Sequence, residues 1–321
     1  MGGSVFQVPN KVPNITIKES GAQALKPAER QAWRPFAHMG PLATKLMLIG
    51  AMAVLPVSAN SEDGSAKAEG FVGTAVKCAV TSVQLNREKA EVIKILRAAF
   101  PELDEVDLEE LRNSKIIVMS EEAFVEEATR RLGSSDYTAM QYFVDGQNVM
   151  VFNVNSDDVL KLATIAHEEL HGAAGNPGHQ FGWSKDAVAK QQGEKLMPKW
   201  FVEGATEYLA LKAVQKAGLK TQGAAYDLEV LLAAAVEKIV GVDIFRKAYI
   251  EQDRKLLRAA FNYRLGKGAF DKILVDSGSV EGAISALFWY MKQNGKPFER
   301  FSGMSWEQFV GGTQAKYGLA W

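Results

Sequence analysis

The sequence predicts an α+β domain with a small sheet in its N-terminal lobe, a helical C-terminal lobe and a functional helix between them. Three observations carry this expectation. The runs 140–144 and 149–154 are rich in β-branched and aromatic residues and flank Asp145-Gly146, a two-residue hairpin signal. From residue 219 onward, apolar residues recur at helical spacing in one segment after another. The chain has four histidines, and two of them lie one helical turn apart between these regions, in His167-Glu168-Glu169-Leu170-His171.

Residues 1–40 show weak periodicity, several prolines and scattered polar residues, a composition that favours disorder. The start Met1-Gly2-Gly3-Ser4-Val5-Phe6 fails the myristoylation pattern, which needs Ser or Thr where Phe6 stands. The segment 45–60 then holds an apolar run of about a dozen residues, short for a bilayer span and suited to a signal-peptide core. Val57-Ser58-Ala59 resembles a small-residue cleavage site. The leader before it is long, so either Met39 is the true start or the leader is an extended n-region; a buried or interfacial helix is the alternative for the run itself. The expected organisation is a disordered leader over 1–60 with its signal-like segment at 46–59, followed by one domain over 61–321. The mature chain is expected to be exported and to have no stable membrane span.

With 321 residues, a net charge of −1 and 47% hydrophobic residues, the chain can bury a core of ordinary size. The balanced charge gives no basis for a nucleic-acid or anionic-membrane partner. Cys78 is the only cysteine, which excludes an intramolecular disulfide. Packing as a small hydrophobe is the stronger expectation for it, and a thiol that caps zinc in a latent form is the sharper alternative.

Several elements can be placed in order. A helix is expected over 88–100, with Ala90, Val92, Ile93, Ile95, Leu96 and Phe100 apolar, and a shorter turn or helix over 104–111. Ile116 to Met119 reads as a strand, and Ser120 caps a helix reaching about residue 131. Ser156-Asp157-Asp158 supplies a cap and acids for the histidine-bearing helix, whose stripe is Val159, Leu162, Ala166 and Leu170. Gly172 and Gly175-Asn176-Pro177-Gly178 end it. Pro198 opens the next helix, Phe201, Ala205, Tyr208 and Leu209 form its stripe, and Gly218 ends it. Further helices are expected over 226–240, 243–251, 256–265 and 279–291, with a short one over 306–310.

Chemistry concentrates on two of these helices. His167 and His171 share one face, and two imidazoles at that spacing can bind one Zn²⁺. Glu168 lies beside them, placed to take a proton from a water on the metal. A two-histidine zinc site needs a third protein ligand and an open position. Glu203 fits that need, with Glu207 holding a ligand histidine from behind. Glu203 and Glu207 lie four residues apart, a like-charge pair that repels by a few tenths of a kcal/mol unless a cation sits near. Gly204 costs roughly 1 kcal/mol against Ala in a helix and lets a second helix approach closely. The bland alternatives are a solvated helix face that happens to carry two histidines, and an ordinary amphipathic helix with two surface glutamates.

His167 to His171 followed by Trp200-x-x-Glu203-Gly204-x-x-Glu207 resembles the gluzincin metallopeptidases, the thermolysin-like and aminopeptidase-type zinc enzymes. The resemblance is tight over 160–210 and weak elsewhere. It implies a zincin-like peptidase domain with one zinc ion, His167, His171 and Glu203 as ligands, Glu168 as general base and Glu207 behind a histidine. It also implies a peptide or protein substrate, which could pair with the edge of the small sheet. The family's oxyanion donor is a Tyr or His. Tyr263 is the first candidate by its distance along the chain, Tyr226 the second and His179 the third. The metzincin pattern is excluded, because Ala174 and Pro177 occupy its glycine and histidine positions. Gln141 stands near where aminopeptidase-type relatives carry an acid for the free amino end, which favours an endopeptidase. A protease narrowly specific for one partner protein is the second enzyme reading. A catalytically silent, exported zinc- or peptide-binding protein is the alternative from another class.

Overall fold

A computed structural model describes residues 62–133, 137–144, 147–157, 161–174, 197–221, 226–251 and 253–319, all within the unit Glu62–Trp321. The leader with its 46–59 segment, the Asp145-Gly146 turn, Val159, the Gly175-Asn176-Pro177-Gly178 run and His179 lie outside the described residues.

Helix α1 (Glu62–Ala99) buries Val92, Ile93, Ile95 and Leu96, with Phe100 just past its end, as expected over 88–100; Ala90, also expected in that stripe, is exposed, and Leu85 extends the buried face upstream. Its earlier turns present Val76, Val80 and Val83 to solvent. Apolar spacing toward a core therefore gave no warning that the helix begins so far upstream. Helix α2 (Glu105–Asn113) starts in a reciprocal cap: the Asp104 carboxylate accepts from the Val106 and Asp107 amides at 2.8 and 2.9 Å, and Asp107 accepts from the Asp104 amide at 3.0 Å. Helix α3 (Glu121–Leu132) is capped by the Ser120 hydroxyl and ends at Gly133 in the left-handed region, φ 77°.

The sheet has three strands, β1 (Lys115–Met119), β2 (Ala139–Val144) and β3 (Gln147–Asn153), in the order β1-β3-β2. β3 runs parallel to β1, with Val151 opposite Ile117, and antiparallel to β2, with Val151 opposite Met140. Alternation along β3 serves two cores. Val149 and Val151, with Met140, pack on Phe124 and Ala128 of α3, while Met150 and Phe152, with Ala139, enter the main core. This double burial is why β3 reads as an unbroken apolar run.

The rest is helical: α4 (Leu162–Ala174), α5 (Lys199–Lys216), α6 (Asp227–Val240), α7 (Val242–Ile250), α8 (Arg254–Leu265), α9 (Val280–Gln293), the short α10 (Glu299–Ser302) and α11 (Trp306–Tyr317), with a π-helical turn over Asp271–Val275. The protein is thus α+β, mostly helical with one small sheet. Ser156 does not cap α4; it sits in a turn after β3, its amide 3.1 Å from the Asn153 carbonyl, and the described helix begins at Leu162. α11 continues to Tyr317, well past residue 310, although Gly311 and Gly312 are poor helix formers.

α5 and α6 are buried nearly all round, the mark of core helices rather than surface ones. They approach each other closely at Gly204. A Cβ placed there would lie 2.3 Å from the Glu229 Cβ and 2.6 and 2.7 Å from its carbonyl carbon and oxygen. The close approach expected of Gly204 is therefore an α5–α6 contact, and it leaves the Glu203 and Glu207 stripe of α5 free to face α4. Among the described residues, no helix is long and apolar enough to cross a membrane.

Candidate metal centre

The residues Ile165 to Ala174 of α4 are all buried, so its polar side chains must find partners inside the protein. Those of His167 and His171 find them on α5. The two rings meet edge to face, centroids 4.6 Å apart, and their Nε2 atoms are 2.9 Å apart. Glu203 Oε2 lies 3.3 Å from one Nε2 and 3.2 Å from the other. Behind the first ring, His167 Nδ1 donates to Glu207 Oε2 at 2.8 Å. Behind the second, His171 Nδ1 lies 3.4 Å from Thr206 Oγ1, which also meets the Tyr249 hydroxyl.

Two nitrogens and one carboxylate oxygen thus converge from two helices. A tetrahedral ion with bonds of about 2.0–2.1 Å holds its ligand atoms roughly 3.3–3.4 Å from one another. The observed separations of 2.9 to 3.3 Å suit that spacing. The donor set, two imidazoles and a carboxylate, is also one that divalent transition ions accept. His167, His171 and Glu203 form a buried group able to hold a metal ion.

The electrostatics follow from burial and these contacts. Burial works to lower the His167 pKa, but hydrogen bonds to Glu203 and Glu207 and their charges outweigh it and hold the ring well above its ordinary value. Burial wins at His171, which is lowered despite Glu203. Burial would raise the Glu203 carboxyl, yet the two histidines hold it far below the usual carboxylate range. Glu168 has no such donors. Its side chain is 6% exposed and takes no hydrogen bond among the described residues. Burial, partly offset by His167 and reinforced by Glu203 and Glu207, pushes it up to about 7.

Glu169 points the other way, into the α1–α2 side of the core. Lys89 Nζ donates to the Ser114 and Arg112 carbonyls at 2.7 and 3.1 Å, and Ser114 Oγ lies 3.1 Å from Glu169 Oε1. Burial raises the Glu169 carboxyl to about 8 against the charge of Lys89 and the Ser114 hydrogen bond. Gly172 packs so closely on Asn148 that a Cβ would lie 2.2 Å from the Asn148 Nδ2.

The structure brings together five of the expected residues: His167, Glu168, His171, Glu203 and Glu207. The tyrosines exchange places. Tyr226 stacks on the His167 ring, centroids 6.0 Å apart at 16°, and Glu203 and Glu168 add to the burial that raises its hydroxyl pKa. Tyr263 is 67% exposed on α8, and among the described residues no hydrogen bond or ring contact joins it to the cluster. Distance along the chain favoured Tyr263, but the face of the helix that carries it looks to solvent. Thr206 and Tyr249 went unnoticed in the sequence. A threonine three residues after Glu203 on a buried helix was a faint signal for the first; nothing local marked the second. Cys78 lies half-buried on α1, and burial raises its thiol pKa. Comparison of the chain with protein-family models, with curated proteins and with solved structures finds no match.

Proposed function

We propose that the protein is a zinc peptidase of the gluzincin type, with a zincin-like domain, acting as an endopeptidase on an extended peptide or protein. The observation that carries this reading is the meeting of two Nε2 atoms with Glu203 Oε2, beside a buried carboxylate, Glu168, that none of the three holds. A purely structural zinc site closes all four positions with protein ligands; a catalytic one uses three. Bound at His167, His171 and Glu203, zinc would polarise a scissile carbonyl and acidify a water.

The chain's own side chains divide the remaining work. Glu168 accepts the water proton and passes it to the leaving amine. Glu207 holds His167 with Nδ1 protonated and Nε2 facing Glu203. Tyr226, beside His167, is the donor for the developing oxyanion. β2 is an edge of the sheet, and its outer side suits main-chain pairing with an extended substrate. Export of the chain follows from the signal-like run at 46–59.

Casein cleavage by the full chain, wild type against Glu168→Ala, tests the reading. The wild type should cleave, lose activity to a chelator and regain it with zinc, while Glu168→Ala keeps its zinc and loses turnover. Equal cleavage by both forms overturns the mechanism. Zinc in both with cleavage by neither replaces it with the silent binding protein.

A further inference from the structure

His167 Nδ1 meets Glu207 and His171 Nδ1 lies near Thr206, and the His171 Nε2 must present a lone pair to Glu203's side of the cluster if it is to bind a cation. The neutral imidazole does this only when the proton sits on Nδ1. Thr206 decides where that proton sits. Its hydroxyl has one hydrogen and two lone pairs. The Val202 carbonyl, 2.8 Å away, can only accept, so it takes the threonine hydrogen. Both lone pairs of Oγ1 then face donors: the Tyr249 hydroxyl on one side and His171 Nδ1, at 3.4 Å, on the other. The chain of directions is closed, with Tyr249 donating to Thr206, Thr206 donating to Val202, and His171 donating to Thr206. Thr206 is 0% and Tyr249 1% exposed, so water does not compete for these positions.

We infer that Thr206, oriented by Tyr249 and the Val202 carbonyl, is the positioning residue for His171, fixing its Nδ1–H tautomer and aiming its Nε2 at the metal position. The inference rests on the metal-site reading above. Partners of this kind typically change metal affinity by about 10–100-fold when removed.

The test uses the full chain, stripped of metal and titrated with Zn²⁺ against a chromophoric chelator, together with ¹⁵N spectra of the histidine rings in the stripped protein. Thr206→Val, nearly isosteric, should weaken zinc binding about 10–100-fold and move the His171 proton toward Nε2, while Thr206→Ser restores both. Tyr249→Phe should shift affinity in the same direction by less. His171→Ala is the control for the underlying reading and should lose far more. If His171→Ala binds zinc like wild type, the metal site itself is misassigned. If His171→Ala loses zinc but Thr206→Val binds as tightly as wild type with its His171 tautomer unchanged, the site stands and the positioning role is overturned. Should Thr206→Val fail to fold, Thr206→Ser and Tyr249→Phe decide alone: a serine variant that binds like wild type beside a weakened phenylalanine variant supports the role, and wild-type affinity with an unchanged tautomer in the phenylalanine variant overturns it.

Discussion

Replacing Gly204 by alanine sets two effects against each other. Helix propensity favours the change by about 1 kcal/mol, because glycine is a poor residue for the interior of α5. Packing opposes it. The new Cβ would stand 2.3 Å from the Glu229 Cβ and 2.6 Å from its carbonyl carbon, where ordinary carbon contacts need about 3.5 Å. The shortfall is roughly 1.2 Å, and part of it is against α6 backbone, which cannot rotate away. Overpacking of this kind costs typically 1–3 kcal/mol, and a backbone clash belongs at the upper end. The net expectation is a loss of about 2 kcal/mol, or about 4–8 °C in Tm for a domain of this size. The displacement also reaches the site, since Glu203 directly precedes Gly204 on α5 and Thr206 and Glu207 follow within one turn. Urea denaturation and zinc titration of Gly204→Ala measure the two consequences. A variant as stable as wild type, or more so, would show that propensity governs here and that the α5–α6 contact is looser than described.

Other expectations follow from the same geometry. Tyr226→Phe should lower kcat about 10²–10³-fold with zinc affinity unchanged, while Tyr263→Phe stays near wild type; the reverse ranking in peptide-cleavage assays would return the donor role to the exposed tyrosine. Glu169 gives a pH dependence. Its folded pKa of about 8 lies above the ordinary value of 4.5, so its contribution to stability is full below the ordinary value and fades as pH rises through about 8. Glu169→Gln should remove this contribution and flatten the fall in urea midpoint between about pH 5 and pH 9. Parallel curves for variant and wild type would sink the assignment.

Much of the site was legible because its ligands obey local rules. His167 and His171 are one turn apart on one helix, as are Glu203 and Glu207 on another, and pairs at that spacing announce a shared face without any knowledge of the fold. Gly204 was legible for a similar reason: a costly residue inside a helix asks for a close neighbour, and α6 is that neighbour. The hydroxyl network was not legible. Thr206 reaches His171, and Tyr249 reaches Thr206, from positions set by how α5 and α7 pack, and no spacing in the sequence records that; Tyr226 was named only as a second choice, and its stacking on His167 comes from the packing. Helix ends failed where no core-facing stripe marks them, as in the first turns of α1, or where glycines interrupt the pattern, as in α11. The strands were read correctly in number and order along the chain, since β3 is apolar on both faces and β2 and β3 flank a turn signal.

The direct measurement is the zinc stoichiometry and affinity of the purified full chain, compared with Glu203→Ala. Convergence of His167, His171 and Glu203 predicts one ion per chain in the wild type and binding weakened by more than about 100-fold in the variant. A wild-type chain that takes up no zinc, or a Glu203→Ala chain that binds it as tightly, would contradict the account at its root.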